Sequence, residues 1–261
     1  MGKLLAIDGL NIVRRVYEAN IEPDTSAKAE AALRHSLGSF RKLLATHEPT
    51  HVLPAFDFGG HTWRHELYAR YRENREPMPA VLKERLPEFY EQLAALGLKV
   101  VEVPEVEADD VIATGVMRWL AEGRGDAIIA STDKDLHVLI AHGAPVWDHF
   151  KSEWHDSKWV EDKFGVSPEK LTDLLALMGD VSDSIPGVSK VGVKTAAKLL
   201  QSYGNIERIM AGAGILKDGL GERLREDSTQ LAISRQLVEL KTDVRMGVTW
   251  NMLAFDSSHI N

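Results

Sequence analysis

Residues 127–135 read AIIASTDKD, an apolar run closed by two aspartates, Asp133 and Asp135. Four apolar residues followed by a polar turn fit a strand buried on both faces, the strand type of a parallel sheet. The same arrangement recurs along the chain. LLAI at 4–7 is followed by Asp8, VLPAF at 52–56 by Asp57, and the apolar run 98–103 by Glu107, Asp109 and Asp110; a fifth strand is expected at 145–147. Helical patterns lie between them at 29–44, 79–96 and 111–120. Strands alternating with helices in this way predict an α/β class with a mainly parallel central sheet flanked by helices.

Ligands bind at the carboxyl ends of the strands in an open parallel sheet. Asp8, Asp57, Glu107, Asp109, Asp110, Asp133 and Asp135 are therefore expected to converge on one edge. On a helix, at about 100° per residue, Glu107 and Asp110 would share a face while Asp109 pointed away. All three can serve one site only if Glu107 precedes the helix and both aspartates occupy its first turn. An extended segment would put Asp133 and Asp135 on one side. Two carboxylates about 5 Å apart at an effective dielectric near 20 repel by roughly 3 kcal/mol, so such a cluster stays ionised only with cations bound. Each acid has a plainer reading by itself. Asp8 and Asp57 suit strand-end turns or helix caps, and EADD at 107–110 would complement a helix dipole. Acid at four strand ends is what favours a shared metal site.

The 261 residues, 44% of them hydrophobic, are enough for an ordinary globular core. No run of about 18 apolar residues marks a membrane span, and MGKLLAIDGL enters a strand without a cleavable signal pattern, so a cytoplasmic protein with no membrane partner is expected. The absence of cysteine excludes thiolate nucleophiles and cysteine zinc sites, which leaves oxygen or imidazole ligands and points to hard cations. The histidines show no ligand spacing such as HExxH. A net charge of -8 argues, taken alone, against nucleic acid. Carboxylates gathered around divalent cations are neutralised locally, however, and basic residues elsewhere can still form a binding face.

From about Ser167 the strand signals stop, and short helical segments follow, broken by glycines at 179, 187, 192, 204, 212, 214, 219 and 221. With no linker in between, this helical part is expected to pack on the sheet as one body. Residues 179–200 read GDVSDSIPGVSKVGVKTAAKLL, and 187–194 suits the turn of a helix-hairpin-helix. Its glycines allow close approach to a phosphate, and the amides of Val191, Gly192, Val193, Lys194 and Thr195 at the next helix start can face it. Lys190, Lys194 and Lys198 add charge. A second basic stretch, WRHELYARYRENREPMP at 63–79, carries Arg64, Arg70, Arg72 and Arg75 interleaved with Trp63, Tyr68 and Tyr71. Arginine forks hold phosphates and aromatic rings stack on bases, which suits a threaded strand; the plainer alternative is a solvated helix with Glu66 and Glu73 as internal partners.

Taken together and in this order, AIDGLNIVRR, AFD, YRENREPMP, EVEADDVIAT, STDKDLHVLI and MGDVSDSIPGVSKVGVKTAAKLL resemble the flap endonuclease and 5′-3′ exonuclease family over about residues 3–242, and in particular its stand-alone bacterial members of the exonuclease IX type. The resemblance implies a PIN-like nuclease core over 1–166 with an arch at about 63–90, a helical DNA-binding region over 167–245 with a helix-three-turn-helix, and a tail over 246–261. It further implies hydrolysis of DNA bearing a 5′ flap or 5′ single-stranded end, by a monomer using two Mg2+ ions, with Mn2+ as a substitute. Asp8, Asp57, Glu107, Asp109 and Asp110 match the family's first metal group, and Asp133, Asp135, Asp180 and Asp183 its second. The main-chain carbonyls of Leu177, Met178, Pro186, Val188 and Val191 match a K+ site. Arg72 and Arg75 fall, with Tyr71, on the arch's pattern of catalytic and DNA-binding residues.

Three departures accompany the resemblance. Arg72 stands where the family usually has lysine and keeps the charge without being able to deprotonate. Pro54 removes a ladder donor from a strand expected to be central. Every acid of the second metal group is present, whereas some stand-alone relatives lack part of it. Two other functions use some of the same features: a PIN-type ribonuclease, which shares the acidic edge but does not need the lysine-bearing hairpin, and a non-catalytic binder of branched DNA, which needs only hairpin and arch.

Overall fold

The computed structural model describes residues 1–216 and 219–260. Its five-stranded sheet is made of β1 (Gly2–Asp8), β2 (His51–Ala55), β3 (Gly125–Ala130), β4 (Val146–Asp148) and β5 (Glu153–His155). The order is β2-β1-β3-β4-β5; all neighbours are parallel except the β4–β5 hairpin. The expected α/β class is what the chain adopts. Asp8 pairs with Ala55, and Ile7 with Ala130. The chain therefore leaves β1, β2 and β3 at one level, and Asp8, Asp57 and the 131–135 turn share one edge.

Side chains alternate across β1 with period two. Leu5 and Ile7 join a core with Phe40, Phe56 and Phe89 beneath α1 (Gly9–Glu18) and α2 (Ser26–His47). Leu4 and Ala6 face the opposite core, shared with Val111 and Ile112. The expected 79–96 helix is broken after α3 (Trp63–Leu67) into α4 (Ala80–Lys83) and α5 (Leu86–Ala95). Pro87 sits in the first turn of α5 and lacks the amide an uninterrupted helix would need.

The run 98–103 is not a strand of this sheet. It touches β2 through one parallel bridge, Ala55 to Val101, with Phe56 N–H donating to Val101 O at 3.0 Å and Val101 N–H to Pro54 O at 2.9 Å. A strand residue points its N–H and C=O to the same side, so the donor missing at Pro54 falls on this outer side, where it leaves the ladder a bond short. Pro54 therefore marks an edge strand and not a central one. The segment leads on to α6 (Ala108–Ala121), which lies on the sheet.

After β5 the chain is helical: α7 (Ser157–Phe164), α8 (Leu171–Met178), α9 (Val193–Tyr203), α10 (Ile206–Gly212), α11 (Leu220–Glu226), α12 (Ser228–Val238) and α13 (Trp250–Leu253). Leu174, Leu200 and Leu237 from these helices share one continuous core with Leu4 and Val116, so the helical part is fused to the sheet. The tail expected over 246–261 returns to the sheet. Trp250 packs edge-on against Trp119 at 5.1 Å and donates to Glu122, and Phe255 N–H donates to Thr50 O at 2.8 Å. Asn261 lies outside the described residues. Among them, no helix is long and apolar enough to cross a membrane.

Candidate active site

The strand-end acids are helix caps and cluster members at once. Asp8 ends β1 and caps α1, with Oδ1 accepting from Asn11 N–H at 3.1 Å and Oδ2 from the Ser131 hydroxyl at 2.9 Å. That hydroxyl accepts Asp133 N–H at 3.0 Å, and Asp133 Oδ1 accepts Asp135 N–H at 3.0 Å, so the turn after β3 folds back onto the end of β1. Asp57 accepts the amide of Ala108, the first residue of α6, at 2.7 Å. Glu107 is the N-cap of that helix and Asp109 and Asp110 occupy its first turn, the arrangement that lets Glu107 and Asp109 serve one site.

The electrostatics show how closely these groups gather. Burial, then the charges of Asp133 and Asp57, push Asp8 up from 3.8 to about 7. Burial, then Asp133, push Asp135 up to about 8 despite Lys134 beside it. Burial, then Asp133, Asp8, Asp57 and Asp135, hold Asp109 well above the usual carboxylate range. Five acids thus share one field.

Asp180 and Asp183 arrive from the hairpin between α8 and α9. Gly179 and Gly187 have φ of 69° and 63°, and a Cβ added at Gly187 would lie 2.4 Å from Gly179 N. Only glycine permits this backbone-to-backbone contact. It closes the loop 180–186, which Asp180 and Ile185 pin with two mutual backbone bonds of 2.8 and 2.7 Å. The loop delivers its acids to the sheet edge, where carboxylate oxygens of Asp135, Asp180 and Asp183 lie within 4.8 Å of one another. Lys134 contacts Asp180 and stands 3.9 Å from Asp135. Bonds from Lys134 and Ser182 outweigh the raising effect of burial and hold Asp180 below its ordinary value. Arg72, at φ 56°, bridges the groups: its guanidinium reaches Glu107 at 3.0 Å and Asp183 at 3.2 Å, and Arg75 reaches Asp183 at 3.5 Å.

Three expected site residues have other duties. Asp110 is fully buried, and its oxygens accept from Arg64 Nη1 and Trp63 Nε1 at 2.7 and 2.9 Å and from Arg64 Nη2 and Lys241 N–H at 2.9 Å each. A carboxylate offers about four lone-pair sites, so none is left for a metal. Arg64, expected at DNA, is buried beneath this pair and donates its Nε to Leu237 O at 2.8 Å. The two residues lock α12 to the core. The Tyr71 ring, expected to face DNA, is buried as well, and its hydroxyl donates to Glu107 at 3.0 Å. Arg70 pairs with Glu73, the internal partner that the plainer reading of this stretch supplies. Lys134 is the participant that reading by strand ends overlooked, though the signal, a lysine between two aspartates in STDKD, stands in the sequence.

Beyond the hairpin, Gly192 caps α9 without a side-chain bond; of the amides expected at a phosphate, Val191 and Thr195 spend theirs on Val188 O and Gly192 O at 3.0 Å each, while those of Gly192, Val193 and Lys194 have no partner among the described residues, and Lys190, Lys194 and Lys198 are exposed and form no ion pair among them. The carbonyls of Leu177 and Val188 accept amides of Val188 and Val191 at 2.8 and 3.0 Å, each keeping one lone pair. Between the acids and the basic stretch lies a cavity of about 1010 Å³, lined by Asp8, Asp57, Asp109, Arg14, Arg72 and Arg75 among others. A donor set of oxygens alone, mutually repelling and held close together, fits hard divalent cations.

Comparison with known proteins agrees with this geometry. Family models described as 5′-3′ exonuclease, N-terminal resolvase-like domain and 5′-3′ exonuclease, C-terminal SAM fold match residues 3–165 and 166–261. Flap endonuclease Xni of Psychromonas ingrahamii is 34% identical over 98% of both chains, and that of Aeromonas hydrophila 37% identical over 94% of this chain and 92% of the relative. Among solved structures, T5 5′-exonuclease with bound zinc superposes with a TM-score of 0.76 at 21% identity, covering 92% of this chain and 90% of that one. The catalytic core of Rad2 in complex with DNA superposes with a TM-score of 0.58 at 16% identity, covering 95% and 83%. With its strand-end carboxylates, its glycine-closed hairpin and relatives matched from end to end, the chain belongs to the 5′-3′ exonuclease family.

Proposed function

We propose that the protein is a flap endonuclease and 5′-3′ exonuclease that hydrolyses phosphodiester bonds of DNA where a 5′ single strand meets a duplex. The observation that carries this reading is the hairpin: one closed loop holds Asp180 and Asp183 against Asp135, and ten residues after Asp183 the chain starts the helix that presents Lys194 and free amides. A phosphodiester within reach of the acids is thereby tied to a duplex backbone held by the hairpin. T5 flap endonuclease has been solved with DNA and metal ions, in line with the same assignment.

In this reading Asp8, Asp57, Glu107 and Asp109 would hold one Mg2+ and Asp135, Asp180 and Asp183 a second, with Asp133 available to both. Mn2+ would substitute for Mg2+, and the hairpin carbonyls would take K+. Bound divalent ions lower the pKa of the attacking water and stabilise the leaving oxygen. The chain's own residues supply the rest. Arg72 and Arg75 steer the phosphate into the cavity, and Arg72 exchanges its carboxylate partners for the phosphate as it enters. The buried Tyr71 hydroxyl holds Glu107 in place. No side chain serves as nucleophile.

A labelled 5′-flap duplex and a single-stranded RNA of equal length, each incubated with Mg2+, test this. Cleavage of the flap alone, reduced at least about a hundredfold by Asp133→Asn, is expected. Preferential cutting of the RNA would mean a ribonuclease, and flap binding without turnover would mean a non-catalytic binder.

A further inference from the structure

Phe58 follows Asp57 directly, yet the two aromatic residues flanking that aspartate are treated in opposite ways. Phe56 is fully buried, stacked on Phe40 and edge-on to Tyr90. Phe58 is 57% exposed and belongs to neither core. It is followed by Gly59 and Gly60, at φ of 86° and 84°, and a Cβ at either would meet nothing within 4 Å. The loop stands clear of the molecule, and among the described residues Phe58 packs on no ring and no cation. Of the exposed large apolar residues described, Phe58 alone lines the cavity that also holds Asp8, Asp57, Asp109, Arg72 and Arg75. The other large apolar residues of the cavity, such as Leu86, Met78 and Tyr90, are packed in or against the core, so Phe58 is left as an uncovered phenyl ring beside the acids and arginines, without a partner that is flat and apolar on its face. The phosphodiester entering between these acids and arginines carries such a partner, its own base.

We propose that Phe58 is a stacking platform for the base of a nucleotide adjacent to the bond that is cut. One residue step from Asp57 is about 3.8 Å, and successive nucleotides of a stacked strand rise about 3.4 Å, so a ring on Phe58 serves the nucleotide next to the phosphate held at Asp57. Because every base has a π-face, the contact fixes position without reading sequence. The inference rests on the DNA-cleavage reading above.

The test is a cycle of kcat/KM on 5′-flap duplexes, either intact or with one abasic residue on the 5′ or the 3′ side of the cleaved bond. With the wild type, one of the two abasic substrates should be cut about five- to a hundredfold less efficiently than the intact one. Phe58→Ala should lose a similar factor on the intact flap and nothing further on that abasic substrate; Phe58→Trp should restore both the rate and the sensitivity. Unchanged kcat/KM in Phe58→Ala, or losses from variant and abasic residue that multiply, would overturn the platform while leaving flap cleavage by the wild type as proof of the underlying reading. Failure of the wild type to cut the intact flap would overturn both.

Discussion

Asp109 and Asp110 are neighbours in one helical turn and have different tasks. Asp109 faces Asp8, Asp57 and Asp133, while Asp110 turns inward and spends both oxygens on Arg64, Trp63 and the Lys241 amide. Removing one partner of a buried, hydrogen-bonded pair strands the other's charge, at a cost of about 3–5 kcal/mol. Arg64→Ala should therefore lower the unfolding free energy measured by urea titration by that much; a variant as stable as the wild type would refute the clamp. The acid cluster sets the pH response of the metal-free protein. Asp8 and Asp135 are pushed from 3.8 up to about 7 and 8, chiefly by burial and then by Asp133. The folded chain still holds protons that the unfolded chain has released, so stability falls as pH rises from about 4 to 8. Divalent ions bind the ionised form and offset that loss. With EDTA the Tm should decline between pH 5 and pH 8, and the rise on adding Mg2+ should be larger at pH 8; an equal rise at both would contradict this linkage. At this scale the residues at strand ends were legible because one sheet edge collects them whatever else they do. The inward turn of Asp110 was not, since its partners, Arg64 and Lys241, lie 46 and 131 residues away in sequence.

The hairpin is the element on which the site depends. Gly187→Ala adds a Cβ 2.4 Å from Gly179 N at a φ of 63°, where backbone and not a flexible side chain must move. Strain of this kind costs roughly 1–3 kcal/mol or more. The variant should lose thermal stability and weaken metal and duplex binding together; loss of one without the other would separate the two functions assigned to this loop. Lys194→Ala, at the exposed start of α9, should leave the fold intact, weaken duplex binding and reduce the slope of log affinity against log salt by about 1. An unchanged slope would remove Lys194 from the phosphate contacts. Elements were legible where pattern and partner agree, as for β1, β3 and α6. They were misread where a proline decided the outcome. Pro54 leaves the run 98–103 with a single bridge, and Pro87 divides the helix expected at 79–96, because both positions lack the amide that regular structure would use.

Across the whole molecule, one core runs from β1 through α6 into the C-terminal helices, and the tail returns to the sheet beside β2. That continuity fixes the distance between the acids at the sheet and the hairpin, and on the proposed function it explains how a chain of net charge -8 would serve DNA: acids gathered at the sheet edge would be neutralised by the cations they hold, and the hairpin lysines are exposed. The alternation of strands and helices predicted the architecture; the return of Trp250 to Trp119 did not show in the sequence because a single tryptophan in a short segment carries no periodicity. On the proposed function, hairpin acids and strand-end acids form one composite metal centre. Isothermal titration of Mn2+ into the wild type and into Asp180→Asn/Asp183→Asn tests it most directly. Two ions are expected for the wild type and one, held by the strand-end acids, for the variant; two ions retained in the variant would rule out the composite centre.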